Sequence, residues 1–350
     1  MSDRVGIMMV GANGSIATTL TRGVFAIVSG LSEHRCLISD QEAFEHLNLL
    51  PLDAFHFGGW DLRCESHARA AMTSAEAPQE LLQAVSGMLS GVKVASGISL
   101  GISAAARAAV DPLQDSDTCR ADAAERIERE IRLFVHENAL DGAVVVNLAS
   151  TEPPVSQESW HHSLNAFEAA FARNEPQFTA GMIYAYAGMR AGAPVVNYTP
   201  SDVFEIPALL ELSHQKQLPL AGRDGKTGQT FYKTVLAPAF RARAFTVDGW
   251  FSTNILGNGD GKTLAHASNL EAKRRSKLGS LATILGGEID HQVHIHHYAP
   301  RAHAKEAWDC IWLNPRNSAD ANRRESSWSG TLASTPRSGR RAVECGIDLR

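Results

Sequence analysis

The stretch VGIMMVGANGSIA at residues 5–17 constrains the fold more than any other. Val5–Val10 is an uninterrupted apolar run, as a strand buried on both faces requires. Gly11 and Gly14 bracket a tight turn. Ala17, Leu20, Val24 and Ile27 then recur at helical spacing. Strand, glycine turn and helix in that order open a doubly wound parallel sheet. The turn puts the backbone amides of Gly11, Ala12, Asn13, Gly14 and Ser15 at a helix N-terminus, where a pyrophosphate can be received. The spacing is G-x-x-G-x-x-A, not G-x-G-x-x-G, so taken alone it describes a tight strand–helix turn equally well. Its place on the first strand of an alternating pattern favours a dinucleotide. The acid expected to hold the adenosine ribose should close the next strand, and Asp61 in FGGWD is the residue there. A carboxylate at that point favours NAD over NADP.

Beyond the turn, residues 28–52 are more polar and read as an inserted helical excursion. Apolar residues at 124, 127, 131 and 134 mark a surface helix that ends near Gly142. GAVVVNLAST at 142–151 is again a fully apolar strand, with Asn147, Ser150, Thr151 and Glu152 at its carboxyl end. A buried helix and another strand follow, ending at Asn197, Thr199 and Pro200. Carboxyl ends of strands are where such sheets place ligands. Strand and helix alternate up to about Thr230. From 231 to 308 the pattern changes to strands of an open sheet, one of whose sides faces solvent or a partner, with a helix between them. That describes a second, α+β sheet domain. Residues 310–350 are rich in Ser, Arg and Gly and show neither period, as a disordered or out-of-frame tail would. The expected organisation is thus 1–230, 231–309 and 310–350.

A net charge of −5 gives no support to nucleic acid as a partner. No apolar run reaches the length of a membrane span. The five cysteines are scattered, odd in number and form no Cys-x-x-Cys, which suits reduced thiols. The N-terminus enters the folded pattern at once, leaving no room for a signal peptide, and a cytoplasmic protein is expected. Two Gly-Lys-Thr triplets, in GRDGKTGQT and GNGDGKT, suggest phosphate loops of the ATPase kind. Such a loop needs four residues between its first glycine and Gly-Lys-Thr. Gly257 to Gly261 encloses three and Gly222 to Gly225 two, so neither qualifies. GNGDG also lacks the later Glu of a calcium loop. The histidines at 291, 294, 296, 297 and 303 invite a zinc reading, yet one strand cannot supply three or four convergent ligands. No metal site is expected.

Eight stretches in order become specific together: GANGSIATT, FGGWD, NLASTEP, GAPVVNYTP, AGRDGKTGQT, STNILGNGDG, EAKRRSKLGS and DHQVHIHHYAPRAHAKEAWD. Over roughly 4–310 the chain resembles the myo-inositol-1-phosphate synthases of bacterial type. The resemblance implies a Rossmann-like domain carrying NAD and a second sheet domain for catalysis and assembly into a homotetramer. It implies isomerisation of glucose 6-phosphate to 1L-myo-inositol 1-phosphate by oxidation at C5, enolisation, intramolecular aldol closure and re-reduction. It assigns Lys273 and Lys277, four residues apart and so on one helical face, to charge and proton work. Lys305 matches a further active-site lysine, and Asp224 and Asp260 match acids of the site. Thr227, with Lys226 and Gly228, is expected beside the cofactor. Two other readings stay open: a catalytically impaired NAD-binding relic, and a Rossmann dehydrogenase with net hydride transfer.

The chain departs from the family pattern twice. Ala302-His303 stands where the family usually has Gly-Asp, and after Asp309 no family motif is recognisable.

Overall fold

The computed structural model describes residues 4–33, 37–73, 78–102, 107, 119–155, 158–223, 225, 229–257, 281–287, 289–301, 305–315, 328–334 and 343–348. The chain divides into two compact units, Met1–Asp224 and Gly225–Arg350.

The first unit is built on a six-stranded parallel sheet. Its strands are β1 (Val5–Val10), β2 (Phe55–Asp61), β3 (Lys93–Ser96), β4 (Gly142–Asn147), β5 (Val195–Asn197) and β6 (Leu220–Ala221). They lie in the order β3-β2-β1-β4-β5-β6. This is the doubly wound α/β architecture, with its topological switch between β1 and β4. Alternation along β1 divides the core. Met8 and Val10 face one side, packing with Ile127 and Ile131 of α4 (Arg120–Glu137) and Met182 of α6 (Ala180–Arg190). Met9 faces the other, packing with Ala17, Val24 and Phe25 of α1 (Ser15–Val28) and with Val85 and Leu89 of α3 (Gln79–Gly91). Both faces of the strand are therefore covered, which explains its uninterrupted apolar sequence. A Cβ on Gly59 would fall 2.0 Å from the Met9 carbonyl oxygen, so a side chain there would part β2 from β1.

The register aligns the strand ends. Val10 pairs with Trp60 and with Asn147, and Asn147 pairs with Asn197. Four segments consequently leave the sheet at one edge: Gly11–Gly14, Asp61–Arg63, 148–152 and 198–201. Between β1 and β2, the expected helical excursion is instead three short 3-10 turns, Ile38–Asp40, Glu42–Phe44 and Leu52–Ala54. The first two bury no residue, so they lack the packed face that holds an α-helix together.

The second unit carries a mixed five-stranded sheet. Its strands are β7 (Phe245–Leu256), β8 (Asp290–His297), β9 (Lys305–Pro315), β10 (Trp328–Ser334) and β11 (Val343–Asp348), in the order β11-β10-β9-β7-β8. Only β7 and β8 pair in parallel. One face buries Trp250, Ser252, Asn254, Leu256, Val293, Ala307, Asp309 and Ile311. Its apolar part packs with Ala237 of α8 (Gln229–Ala242) and with Leu281. The helix α8 lies within the second unit, which begins at Gly225 rather than after Thr230.

The tail differs from its sequence-based expectation. β10 pairs with β9, Trp328 opposite Leu313 and Ser334 opposite Ala307, and β11 pairs with β10. Such ladders are carried by main-chain hydrogen bonds, which no side-chain period has to announce.

Candidate functional site

Gly11 takes φ +81°, and a Cβ on it would lie 3.1 Å from Ala149 Cα. Glycine therefore lets the chain turn left-handed while passing close to the loop after β4. The amides of Gly11 and Ala12 both donate to the Trp60 carbonyl, at 2.9 and 3.0 Å, fixing the turn to the end of β2. α1 then starts at Ser15 with no side-chain cap and no acid in its first turn. That helix end suits an anion.

Asp61 is buried beside this turn. Its Oδ2 accepts the Asn13 amide at 2.8 Å, and its Oδ1 accepts the Arg63 amide at 2.9 Å. The Arg63 guanidinium returns over the turn. Its Nε lies 3.3 Å from Asp61, NH1 lies 3.4 Å from Glu65, and NH2 donates to the Asn13 carbonyl. The Asn13 side chain is fully buried, donating to the Glu65 carbonyl at 2.9 Å, while its Oδ1 has no hydrogen-bond partner among the described residues. His67, also buried, lies 2.8 Å from the Thr21 hydroxyl, and burial holds its pKa below the usual value.

The other two loop pairs form one hydrogen-bonded chain. Asn147 Nδ2 donates to Asn197 Oδ1 at 3.1 Å and to the Thr199 hydroxyl at 3.2 Å. The Thr199 hydroxyl donates in turn to Asn197 Oδ1 at 2.8 Å and lies 3.0 Å from Ser201 Oγ. Ser201 Oγ accepts the Glu152 amide at 3.0 Å. The Glu152 carboxylate is enclosed, accepting the Thr179 hydroxyl and the Gly181 amide, each at 2.9 Å. Burial pushes its pKa up to about 7 against those two bonds. Ser150 is exposed and Thr151 half-buried between these anchored points. The Pro200 carbonyl accepts from Arg223 at 3.3 Å.

In the second unit, Lys233 of α8 is fully buried, its Nζ 2.8 Å from His291 Nε2. Burial lowers its pKa to about 8, and Asp309 opposes that shift. Asp309 accepts from Trp250 Nε1 at 2.8 Å and from the Ser252 hydroxyl at 2.6 Å. Lys305 opens β9, its backbone in register with Leu256. Asp224, Thr227, Asp260, Lys273 and Lys277 lie outside the described residues, as does the side chain of Lys305. Among the described residues no group of three or more His, Cys, Asp or Glu could hold a metal ion. No helix among them is long and apolar enough to cross a membrane.

The structure thus brings Gly11, Ala12, Asn13, Gly14, Ser15 and Asp61 into one cluster, and Asn147, Thr151, Thr199 and Pro200 onto the same sheet edge. Sequence reasoning missed Arg63, whose signal was the alternation Asp61, Arg63, Glu65, His67 just after a buried strand. It also missed Lys233, for which an isolated lysine in an amphipathic helix gave no signal.

Strand order and amide turn define a dinucleotide-binding α/β protein with an added mixed sheet. The NAD-binding family model of the myo-inositol-1-phosphate synthases matches residues 5–334, past the point where the motifs cease to be recognisable. An inositol-3-phosphate synthase of Bacteroides thetaiotaomicron is 35% identical over 88% of this chain and 76% of its own length. One from Oryza sativa is 26% identical over 79% of this chain and 59% of its own length. In fold, the chain superposes on inositol-3-phosphate synthase from Caenorhabditis elegans with a TM-score of 0.81 at 20% identity, covering 96% of this chain and 71% of that one. A myo-inositol-1-phosphate synthase-related protein from Thermotoga maritima gives 0.73 at 19% identity, covering 95% and 82%. The chain belongs to the myo-inositol-1-phosphate synthase family, and its cofactor is NAD.

Proposed function

We propose that the chain is an inositol-3-phosphate synthase that isomerises glucose 6-phosphate to 1L-myo-inositol 1-phosphate. The observation that carries this reading is the turn at Gly11–Gly14 joined to Asp61, in a chain matched by the family model through 334. When bound, NAD supplies reversible hydride acceptance at C5 of the sugar. The amides of Gly11, Ala12, Asn13, Gly14 and Ser15 hold its pyrophosphate and Asp61 its adenosine ribose. Asn147, Ser150, Thr151, Thr199 and Pro200 would hold the rest of the cofactor, and the family resemblance adds Asp224 and Thr227 to that set.

Lysines carry the chemistry on the substrate. Oxidation at C5 acidifies C6, and loss of a C6 proton leaves an enolate that needs a nearby cation. Lys277 takes this role, and Lys273, four residues away in the sequence, adds a second positive charge. Lys305 contributes a third cation for the phosphate and for the oxygen that gains charge on aldol closure. Asp224 and Asp260 orient the lysines and accept from sugar hydroxyls. The first unit holds the cofactor, and the second supplies catalytic groups and assembles the chain into a homotetramer through its outer sheet face. Ala302-His303 in place of the family's Gly-Asp favours a second reading, a catalytically impaired member that still binds NAD.

Incubation with glucose 6-phosphate and NAD⁺ tests the proposal. Formation of inositol phosphate without lasting absorbance at 340 nm is the expected result. Accumulating NADH would identify a dehydrogenase instead. NAD binding with neither product would identify the impaired member.

A further inference from the structure

The Asp61–Arg63–Glu65 cluster carries an inference that rests on NAD as the cofactor and goes beyond it. Arg63 is anchored at three points, by Asp61, by Glu65 and by the Asn13 carbonyl, while its side chain stays 42% exposed. A fixed, partly open guanidinium next to a dinucleotide turn is the group that receives a 2′-phosphate. Here it is flanked by two carboxylates. Asp61 is buried and bonded to the turn itself through the Asn13 amide at 2.8 Å. Glu65 contacts a different nitrogen of the guanidinium, 3.4 Å from NH1. Two negative groups and one positive leave the cluster net negative, which repels a 2′-phosphate and accepts a ribose hydroxyl.

We propose that Arg63 is a latent 2′-phosphate site, and that the choice of NAD over NADP rests on its masking by Asp61 and Glu65. The chain thus rejects NADP although the required cation is present. Specificity of this kind is a difference produced by a repulsive element. Removing the carboxylates should expose the cation without any new positive charge being introduced.

The experiment measures binding of NADH and NADPH by their fluorescence to the full chain and to its variants. The ligands 5′-ADP and adenosine 2′,5′-bisphosphate serve as competitors lacking the nicotinamide. Wild type should bind NADH and bind NADPH at least about tenfold more weakly. Asp61→Ser with Glu65→Gln should raise NADPH affinity at least about tenfold, the scale of one charge-assisted hydrogen bond. The gain should shrink with added salt and vanish when Arg63→Ala is added. Adenosine 2′,5′-bisphosphate should gain in parallel and 5′-ADP should not. If the double variant does not fold, Glu65→Gln alone, which leaves Asp61 and its backbone contacts in place, should still give a smaller gain for NADPH. Unchanged NADPH affinity in both variants overturns the proposal, as does a gain that survives Arg63→Ala. Failure of wild type to bind NADH at all would instead refute the assignment of this turn to NAD.

Discussion

The Glu152 carboxylate accepts the Gly181 amide at 2.9 Å, at the first turn of α6. The Thr179 hydroxyl, the other bond to this carboxylate, also caps the same helix. A helix N-terminus favours the charged form, yet burial outweighs it and brings the pKa from 4.5 to about 7. The loop after β4 is therefore tied to α6 through a group that titrates near neutrality.

Since the folded pKa lies above the unfolded one, folding takes up a proton between pH 4.5 and about 7. This contribution to stability is complete below pH 4.5 and is lost as pH rises through 7, by on the order of 3 kcal/mol. Glu152→Gln keeps the shape and an acceptor for Gly181 but removes the titration. Urea midpoints of wild type and variant should draw apart as pH rises from 4.5 to 8, the variant becoming the more stable. Parallel curves would mean that Glu152 does not titrate in this window.

Lys233 gives the opposite sign. Its pKa falls from 10.5 to about 8 on burial, so folding releases a proton between those values. Stability should therefore rise as pH climbs from 8 to 10.5. Lys233→Met removes that rise, which unfolding curves at pH 8 and pH 10 can measure. An unchanged slope would assign it to another group.

Gly11→Ala tests the turn. The added Cβ would sit 3.1 Å from Ala149 Cα on a backbone with φ +81°. The strain should cost about 1–3 kcal/mol of stability. NADH affinity should drop as well, because the turn and the loop after β4 move apart. Asp61→Ala should weaken NADH by about 1–2 kcal/mol, the order of one hydrogen bond to a charged acceptor. Titration calorimetry reads both, and full affinity in both variants would place the cofactor elsewhere.

Lys277→Ala separates chemistry from cofactor binding. The lysine acts where charge develops on the sugar, so turnover should fall at least about 100-fold. NADH affinity should stay within about twofold of wild type, since the dinucleotide turn is untouched. Unchanged turnover would remove Lys277 from the mechanism.

What was legible in the sequence was local. β1, its glycine turn and α1 follow from an apolar run and a helical period within 24 residues, Val5 to Val28. Asp61 was found because it closes a strand. The partners of these groups lie far along the chain. Asn13 and Asp61 are 48 residues apart, Glu152 and Gly181 29, Lys233 and His291 58. Such contacts are set by strand order, which no local period encodes. Arg63 carries little local signal of its own, because only the end of β2 brings it over the turn. The strands β10 and β11 escaped for another reason: Ser-, Gly- and Arg-rich text carries no alternation, and their pairing rests on the backbone.

The outer face of the second sheet offers a last test. Phe251, Trp308 and Trp312 are 36%, 38% and 44% exposed, on the side opposite the buried Trp250 and Asp309. His294, on the same face, packs against Phe251 with its ring tilted and the centroids 4.9 Å apart. Aromatic side chains of this size bury about 150–250 Å² each when covered, at about 25 cal/mol per Å². Leaving three in water on one face costs several kcal/mol that a second copy of the chain would recover. If the homotetramer forms through this face, Trp308→Glu places a charge in a dry interface, where an unpaired charge is strongly destabilising. Because Trp308 is exposed within its own unit, the fold of the protomer should survive the change. Light scattering after gel filtration should then show a tetramer for wild type and smaller species for Trp308→Glu, with unchanged circular dichroism. A tetramer that persists in the variant would move the interface off this sheet, and a monomeric wild type would refute the assembly altogether.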